Sequence, residues 1–258
     1  MTDFQGRFVW YELMTTDPAA AQAFYGSVVG WGAQDSGMSG VAYTLFTVGG
    51  KGACGLMALP EAARQAGAPP HWLGYVAVAD VDGTAARIRA AGCTEYVAPS
   101  DIPEVGRFSV FADPQGASLA LFHAARDCDD PIPDQSETGR VGWHELHARS
   151  VEEALSFYAP LFGWRKTDAM DMGDMGTYQM FGVGDKTLGG MFPKPPTMPR
   201  AFWLYYFNVP DIDAAIARVT AGGGRVLMAP MEVPGGGWVV QATDPQGAAF
   251  ALHGPRKA

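Results

Sequence analysis

Stretches of period-two hydrophobicity alternate along the chain with stretches of helical repeat, and the same succession comes round four times. Phe8 to Met14 reads as a strand, with successive side chains on opposite faces of a sheet. Asp17-Pro18 predicts the start of a helix, because Asp caps free amides and Pro is tolerated in the first turn. Phe24 and Tyr25 anchor the apolar face of that helix. Strands are predicted around Val41–Val48 and Ala53–Leu59. A second round opens at Trp72–Ala79, continues with a helix from about Val81 to Ala91, and ends in strands near Tyr96, Phe108–Ala112 and Ser118–Phe122. The order is β-α-β-β-β, twice in each half of the chain, which gives an α+β class.

The halves are copies. A shift of 133 positions lays Gly6 to Trp31 on Gly139 to Trp164, matching Trp10, Glu12, Phe24, Tyr25 and Trp31 with Trp143, Glu145, Phe157, Tyr158 and Trp164. A shift of 131 then matches Trp72, Tyr75, Asp80 and Asp82 with Trp203, Tyr206, Asp211 and Asp213. It also sets Asp113-Pro114-Gln115-Gly116 on Asp244-Pro245-Gln246-Gly247, tetrads that fit tight turns. Tryptophan held in register over most of a chain marks a duplication. In the second copy Ser150, with Glu153 three residues on, predicts a capping box. The polar segment Asp127 to Thr138, with Pro131 and Pro133, reads as the link. The expected division is 1–125, a linker over 126–138, and 139–256. Ala68–Pro70 and Pro193–Pro199 join the half-modules.

Composition narrows the class. Apolar residues make up 48% and charged residues 17%, a balance that supports sizeable cores. A net charge of −9 argues against nucleic acid or an anionic membrane as partner. The three cysteines, Cys54, Cys93 and Cys128, show no metal-type spacing and read as ordinary thiols. Neither a signal-peptide pattern nor an apolar run of membrane-spanning length is present, so the expected location is cytoplasmic.

The βαβββ order, Phe-Tyr ending the first helix, Asp-x-Asp opening the second and Asp-Pro-Gln-Gly before the last strand together resemble the vicinal oxygen chelate superfamily. That group includes glyoxalase I, extradiol dioxygenases and bleomycin-resistance proteins. The tandem form with Trp-x-Glu-Leu in strand one looks like the two-domain glyoxalase-like proteins. The resemblance implies that each copy forms curved mixed sheets enclosing a cup for a ligand. It also implies metal ligands at three positions, which hold Trp10, Leu73 and Ala120 in copy one and Trp143, Leu204 and Ala251 in copy two. Indole, isobutyl and methyl groups offer a metal no usable lone pair. No cofactor is therefore expected.

Strand alternation identifies the side chains that share a face with those positions. In copy one they are Glu12, Met14, Tyr75, Ser118 and Phe122; in copy two Glu145, His147, Tyr206, Ala249 and His253. Trp10, Glu12, Tyr75, Phe122, Trp143 and His253 are the expected ligand-binding residues. Glu12 and Glu145 admit a functional reading, as partly buried carboxylates that accept a proton, and a structural one, tied to a backbone amide or to Arg7 and Arg140. His144-Glu145-Leu146-His147 is similar to a metalloprotease box only on paper, because on a strand the two histidines face opposite ways. His71 and His123 lie near segment ends and are expected to be solvated. Met170, Met172 and Met175 with Gly173 and Gly176 suggest an adaptable apolar loop. Gly235-Gly236-Gly237 lacks the Lys-Ser/Thr of a phosphate loop.

The resulting expectation is a metal-independent glyoxalase-like protein that binds a small, partly aromatic or electrophilic molecule, in sequestration or detoxification. One alternative is a lyase or isomerase with Glu145 or His147 as base and Tyr206 as proton donor, either metal-free or with a divalent metal improvised on Glu145, His147 and His253. Another is a scaffold with closed cups. A monomer is preferred over a homodimer, since the duplication supplies an internal pair.

Overall fold

A computed structural model describes residues 4–38, 40–126, 134–196 and 198–257. Cys128, Pro131 and Pro133 of the expected linker, and Thr197 of the second proline-rich joint, lie outside the described residues.

The first copy runs β1 (Phe8–Thr15), α1 (Pro18–Val28), β2 (Gly32–Asp35), β3 (Tyr43–Val48), β4 (Lys51–Ala58), α2 (Glu61–Gln65), β5 (His71–Ala77), α3 (Val81–Ala90), β6 (Thr94–Ile102), β7 (Gly106–Ala112) and β8 (Ser118–Ala124). The second runs β9 (Val141–Ala148), α4 (Val151–Phe162), β10 (Arg165–Asp171), a single 3-10 turn at Gly173–Met175, β11 (Thr177–Val183), β12 (Lys186–Pro193), β13 (Phe202–Asn208), α5 (Ile212–Ala221), β14 (Arg225–Val226), β15 (Met231–Val233), β16 (Gly237–Thr243) and β17 (Ala249–Gly254). The α+β class and the tandem βαβββ modules follow directly. Strand order is β2-β3-β4-β1-β5-β8-β7-β6 in one sheet and β10-β11-β12-β9-β13-β17-β16-β14 in the other, with β15 paired to β16. Among the described residues no helix is long and apolar enough to cross a membrane.

Local chemistry explains the helix starts. Asp17, Asp80 and Asp211 each accept a backbone N–H three residues on, at 2.9–3.1 Å. Ser150 accepts from Glu153 N at 3.3 Å, but the reciprocal half of the predicted box is filled differently. Gln115 accepts from Ser150 N and donates to Ser150 O, both at 2.8 Å, while the Glu153 carboxylate turns to Arg149. The amide of the first copy's turn thus caps a helix of the second.

Long-range contacts gather the chain into two compact units. One comprises Met1–Val9, Leu73–Ile132 and His144–Trp203; the other comprises Trp10–Trp72, Pro133–Trp143 and Leu204–Ala258. Each unit therefore takes one half-module from each copy. In the first, Tyr158 of α4 donates its hydroxyl to Asp113 Oδ2 at 2.9 Å and accepts from Trp203 Nε1 at 3.3 Å. In the second, Tyr25 of α1 donates to Asp244 Oδ2 at 3.2 Å and accepts from Trp72 Nε1 at 2.9 Å. The other oxygen of each aspartate accepts two backbone amides of its own Asp-Pro-Gln-Gly turn at 2.8–3.0 Å. Gly116 and Gly247 sit at φ +94° and +99° in those turns, a conformation that disfavours a side chain. Burial raises the pKa of both aspartates above the ordinary carboxylate value.

Candidate functional site

The candidate site grows from the strand face on which the family resemblance implies metal ligands. Leu73, Ala120, Leu204 and Ala251 are buried there as plain core residues, and Trp10 and Trp143 are half-buried. Among the described residues no three His, Cys, Asp or Glu side chains are grouped so as to hold a metal ion. The indole, isobutyl and methyl groups at these positions offer a metal no ligand.

In the first unit Glu145 and His147 come together. Both side chains are 9% exposed, and His147 Nε2 lies 2.8 Å from Glu145 Oε1. The approach lies off the line of a well-formed hydrogen bond, and Nδ1 has no hydrogen-bond partner among the described residues. Phe202, the first residue of β13, stacks on the imidazole with ring centroids 4.5 Å apart and planes within 6°. Glu145 Oε2 accepts the Tyr178 hydroxyl at 2.9 Å. Register explains how: Gly190 of β12 stands opposite Glu145, and a Cβ there would lie 2.0 Å from the Tyr178 ring. The bare glycine leaves the path by which the phenol crosses the sheet to the carboxylate.

The first copy repeats this device in the second unit. Tyr43 is hydrogen-bonded to Glu12 and accepts from Trp10 Nε1 at 2.9 Å. Gly55, opposite Glu12, supplies the gap, since a Cβ there would lie 1.8 Å from the Tyr43 hydroxyl. Burial and then the Glu12 carboxylate push the Tyr43 phenol well up, so it stays protonated and donates. Where copy two has His147 beside its carboxylate, copy one has Met14 on the strand.

The other expected residues form smaller groups. In the first unit Tyr75 lies 6.4 Å from the rings of both Phe108 and Phe122, an apolar cluster. In the second, Tyr206 accepts from Gln241 Nε2 at 3.2 Å, and His253 Nδ1 lies 3.1 Å from Asn208 Oδ1. His144 lies on the opposite face of β9 from His147, stacked 4.0 Å from Phe8, with Nδ1 donating to Leu188 O at 2.5 Å. His123 is exposed as expected, whereas His71 is half-buried and burial lowers its pKa. Burial also pushes the Cys54 thiol well up, so it is no ready nucleophile.

Sequence reasoning missed Tyr43, Tyr178 and Phe202. The signal was available in the repeat: Tyr43, Lys51 and Gly55 recur as Tyr178, Lys186 and Gly190 at a shift of 135. Arg140, one partner considered for these carboxylates, instead donates to Gly52 O and pairs with Glu137.

Comparison with known proteins agrees with this architecture. The sequence model of the Glyoxalase/Bleomycin resistance protein/Dioxygenase superfamily matches residues 7–121 and again 140–252. CFP32 of Mycobacterium tuberculosis, whose name assigns it provisionally to the glyoxylases, is 35% identical over 97% of this chain and 95% of its own length. The anthracycline biosynthesis protein DnrV of Streptomyces peucetius is 30% identical over 98% of this chain and 94% of its own. Among solved structures, the Mn(II)-bound glyoxalase of Novosphingobium aromaticivorans superposes with a TM-score of 0.63 at 17% identity, over 98% of this chain and 83% of that one. Homoprotocatechuate 2,3-dioxygenase of Brevibacterium fuscum gives 0.66 at 14%, over 97% and 81%. At those identities the likeness is one of fold. The chain belongs to the Glyoxalase/Bleomycin resistance protein/Dioxygenase superfamily.

Proposed function

We propose that this protein binds a small, partly aromatic molecule without the metal its superfamily usually employs, and that the second copy provides the chemistry. The observation that carries the reading is the Glu145–His147 pair, buried, 2.8 Å apart and held by Tyr178, at a place where copy one has only a carboxylate and Met14. A nearly buried carboxylate beside an imidazole, with aromatic rings around both, suits an apolar ligand that carries one or two polar groups. Two relatives bear names from anthracycline biosynthesis, and anthracyclines are fused-ring aromatics. Sequestration or detoxification is the role this combination favours.

The same pair supports a second reading, proton transfer in a lyase or isomerase, with Glu145 or His147 as base. One experiment separates the two. Thermal-shift measurements with a panel of phenols, aromatic aldehydes and ketones, with and without chelator, are expected to show saturable stabilisation that Glu145→Gln abolishes. Turnover of a stabilising compound, insensitive to chelator and lost in Glu145→Gln, would establish the enzyme. Stabilisation that depends on a bound divalent metal would overturn the metal-free reading.

A further inference from the structure

His253 and Asn208 stand opposite each other on the parallel strands β17 and β13, so their side chains share a face. Asn208 is held on every side. Its Nδ2 donates to Gln135 O at 2.6 Å and to Glu137 O at 3.2 Å. Its backbone N–H donates to Arg140 O and its carbonyl accepts from Gly139 N, at 2.9 and 2.8 Å. Gly142 makes room for it, because a Cβ there would lie 2.5 Å from Asn208 Oδ1.

Two carbonyls fix which end of the amide is which, since the amide oxygen facing them would be repelled. Oδ1 is therefore the atom 3.1 Å from His253 Nδ1, and an acceptor there requires Nδ1 to carry a proton. Burial lowers the pKa of His253, so near neutral pH the ring has only that one proton. The lone pair is left on Nε2, which faces the backbone of Gly237, where a Cβ would come within 2.3 Å. The first copy has Phe122 and Ala77 at the equivalent positions and Gly106 at that of Gly237. The pair of polar groups belongs to the second copy alone.

We propose that His253 is an oriented hydrogen-bond acceptor for a phenolic or enolic hydroxyl of an aromatic molecule bound in the second unit, with Asn208 as its positioning residue. This rests on the reading of the protein as a binder of aromatic molecules and adds the functional group that the ligand presents. A neutral imidazole with a bare Nε2 rewards a donor, whereas an aromatic hydrocarbon of the same shape gains nothing from it.

The test uses the full chain labelled with 15N-histidine. At neutral pH a long-range 1H–15N correlation spectrum, assigned with His253→Gln, is expected to show His253 with a protonated Nδ1 and a bare Nε2. This is the minority tautomer of free histidine, and Asn208→Leu is expected to shift it towards Nε2–H. Phenol is expected to move the Nε2 resonance upfield saturably, and toluene is not. His253→Phe, which installs the residue of copy one, is expected to weaken phenol binding roughly tenfold and leave toluene unchanged. A proton on Nε2 in the wild-type chain, an Nε2 unmoved by saturating phenol, or equal phenol affinity in His253→Phe overturns the acceptor role alone. A chain with bare Nε2 that no member of the aromatic panel stabilises refutes the binding function, and the acceptor role falls with it.

Discussion

The hydroxyl of Tyr158 donates to Oδ2 of Asp113 across 2.9 Å, tying a helix of the second copy to a turn of the first. The same hydroxyl accepts the indole N–H of Trp203. Tyr158→Phe leaves a buried carboxylate oxygen and an indole N–H unsatisfied. The expected loss is about 1–3 kcal/mol of stability, read by denaturant unfolding. Tyr96→Phe, at a position 54% exposed, serves as control and is expected to change nothing.

Acid should weaken the fold through His144. Burial lowers the pKa of this fully enclosed imidazole to about 4. In the unfolded chain it titrates near 6.5. Below about pH 6.5 the unfolded state gains a proton that the folded state refuses, so stability falls with pH until both forms are protonated below about pH 4. The full effect is about 3 kcal/mol. His71 and His253 shift in the same direction, so the measurement is a difference. His144→Phe, which retains an aromatic against Phe8, is expected to flatten the unfolding free energy between pH 7 and pH 4.5 relative to wild type.

Asp113 and Asp244 carry the opposite sign. Their folded pKa values are raised by burial, so the folded chain binds protons more readily than the unfolded one. Their contribution is fully present below the unfolded carboxylate value and is lost as pH rises through the raised folded values. Asp113→Asn is therefore expected to remove a stabilising response to mild acid, seen as a steeper loss of Tm on acidification than in wild type.

The two tyrosine gaps offer a test of which copy does the work. Gly190→Ala places a Cβ 2.0 Å from the Tyr178 ring and must expel it from Glu145. Gly55→Ala does the same to Tyr43 and Glu12. Both are expected to cost about 1–3 kcal/mol through overpacking. Only Gly190→Ala is expected to abolish ligand-induced stabilisation; equal losses in both variants would place binding in both copies.

Much of the architecture was legible because strands and caps leave local marks. Asp17 and Ser150 cap the helices predicted from them, and Asp80 caps the one expected from about Val81. β2 escaped because Gly32–Asp35 is exposed at every residue and shows no alternation. The short helix α2 has no buried residue and no side-chain cap, so nothing marks it. The facing of Glu145 and His147 followed from period two. Tyr178 and Phe202 did not, because they reach these residues across neighbouring strands and register is not a local property. The two halves of the capping box failed as a pair for a related reason: Gln115, 35 residues upstream of Ser150, competes successfully for its amide.

The interleaving of copies also sets a timetable for biosynthesis. Residues 10–72 emerge from the ribosome early, yet their unit closes only when 204–258 have followed. The other unit draws on nothing beyond Trp203 and is complete while residues 204–258 are still being made. Until then the Tyr25 hydroxyl waits without Asp244, and the rings of Tyr25, Trp31 and Trp72 wait without Phe207. The segment 10–72 thus depends on protection from aggregation for longer than the segments 73–132 and 144–203 that follow it.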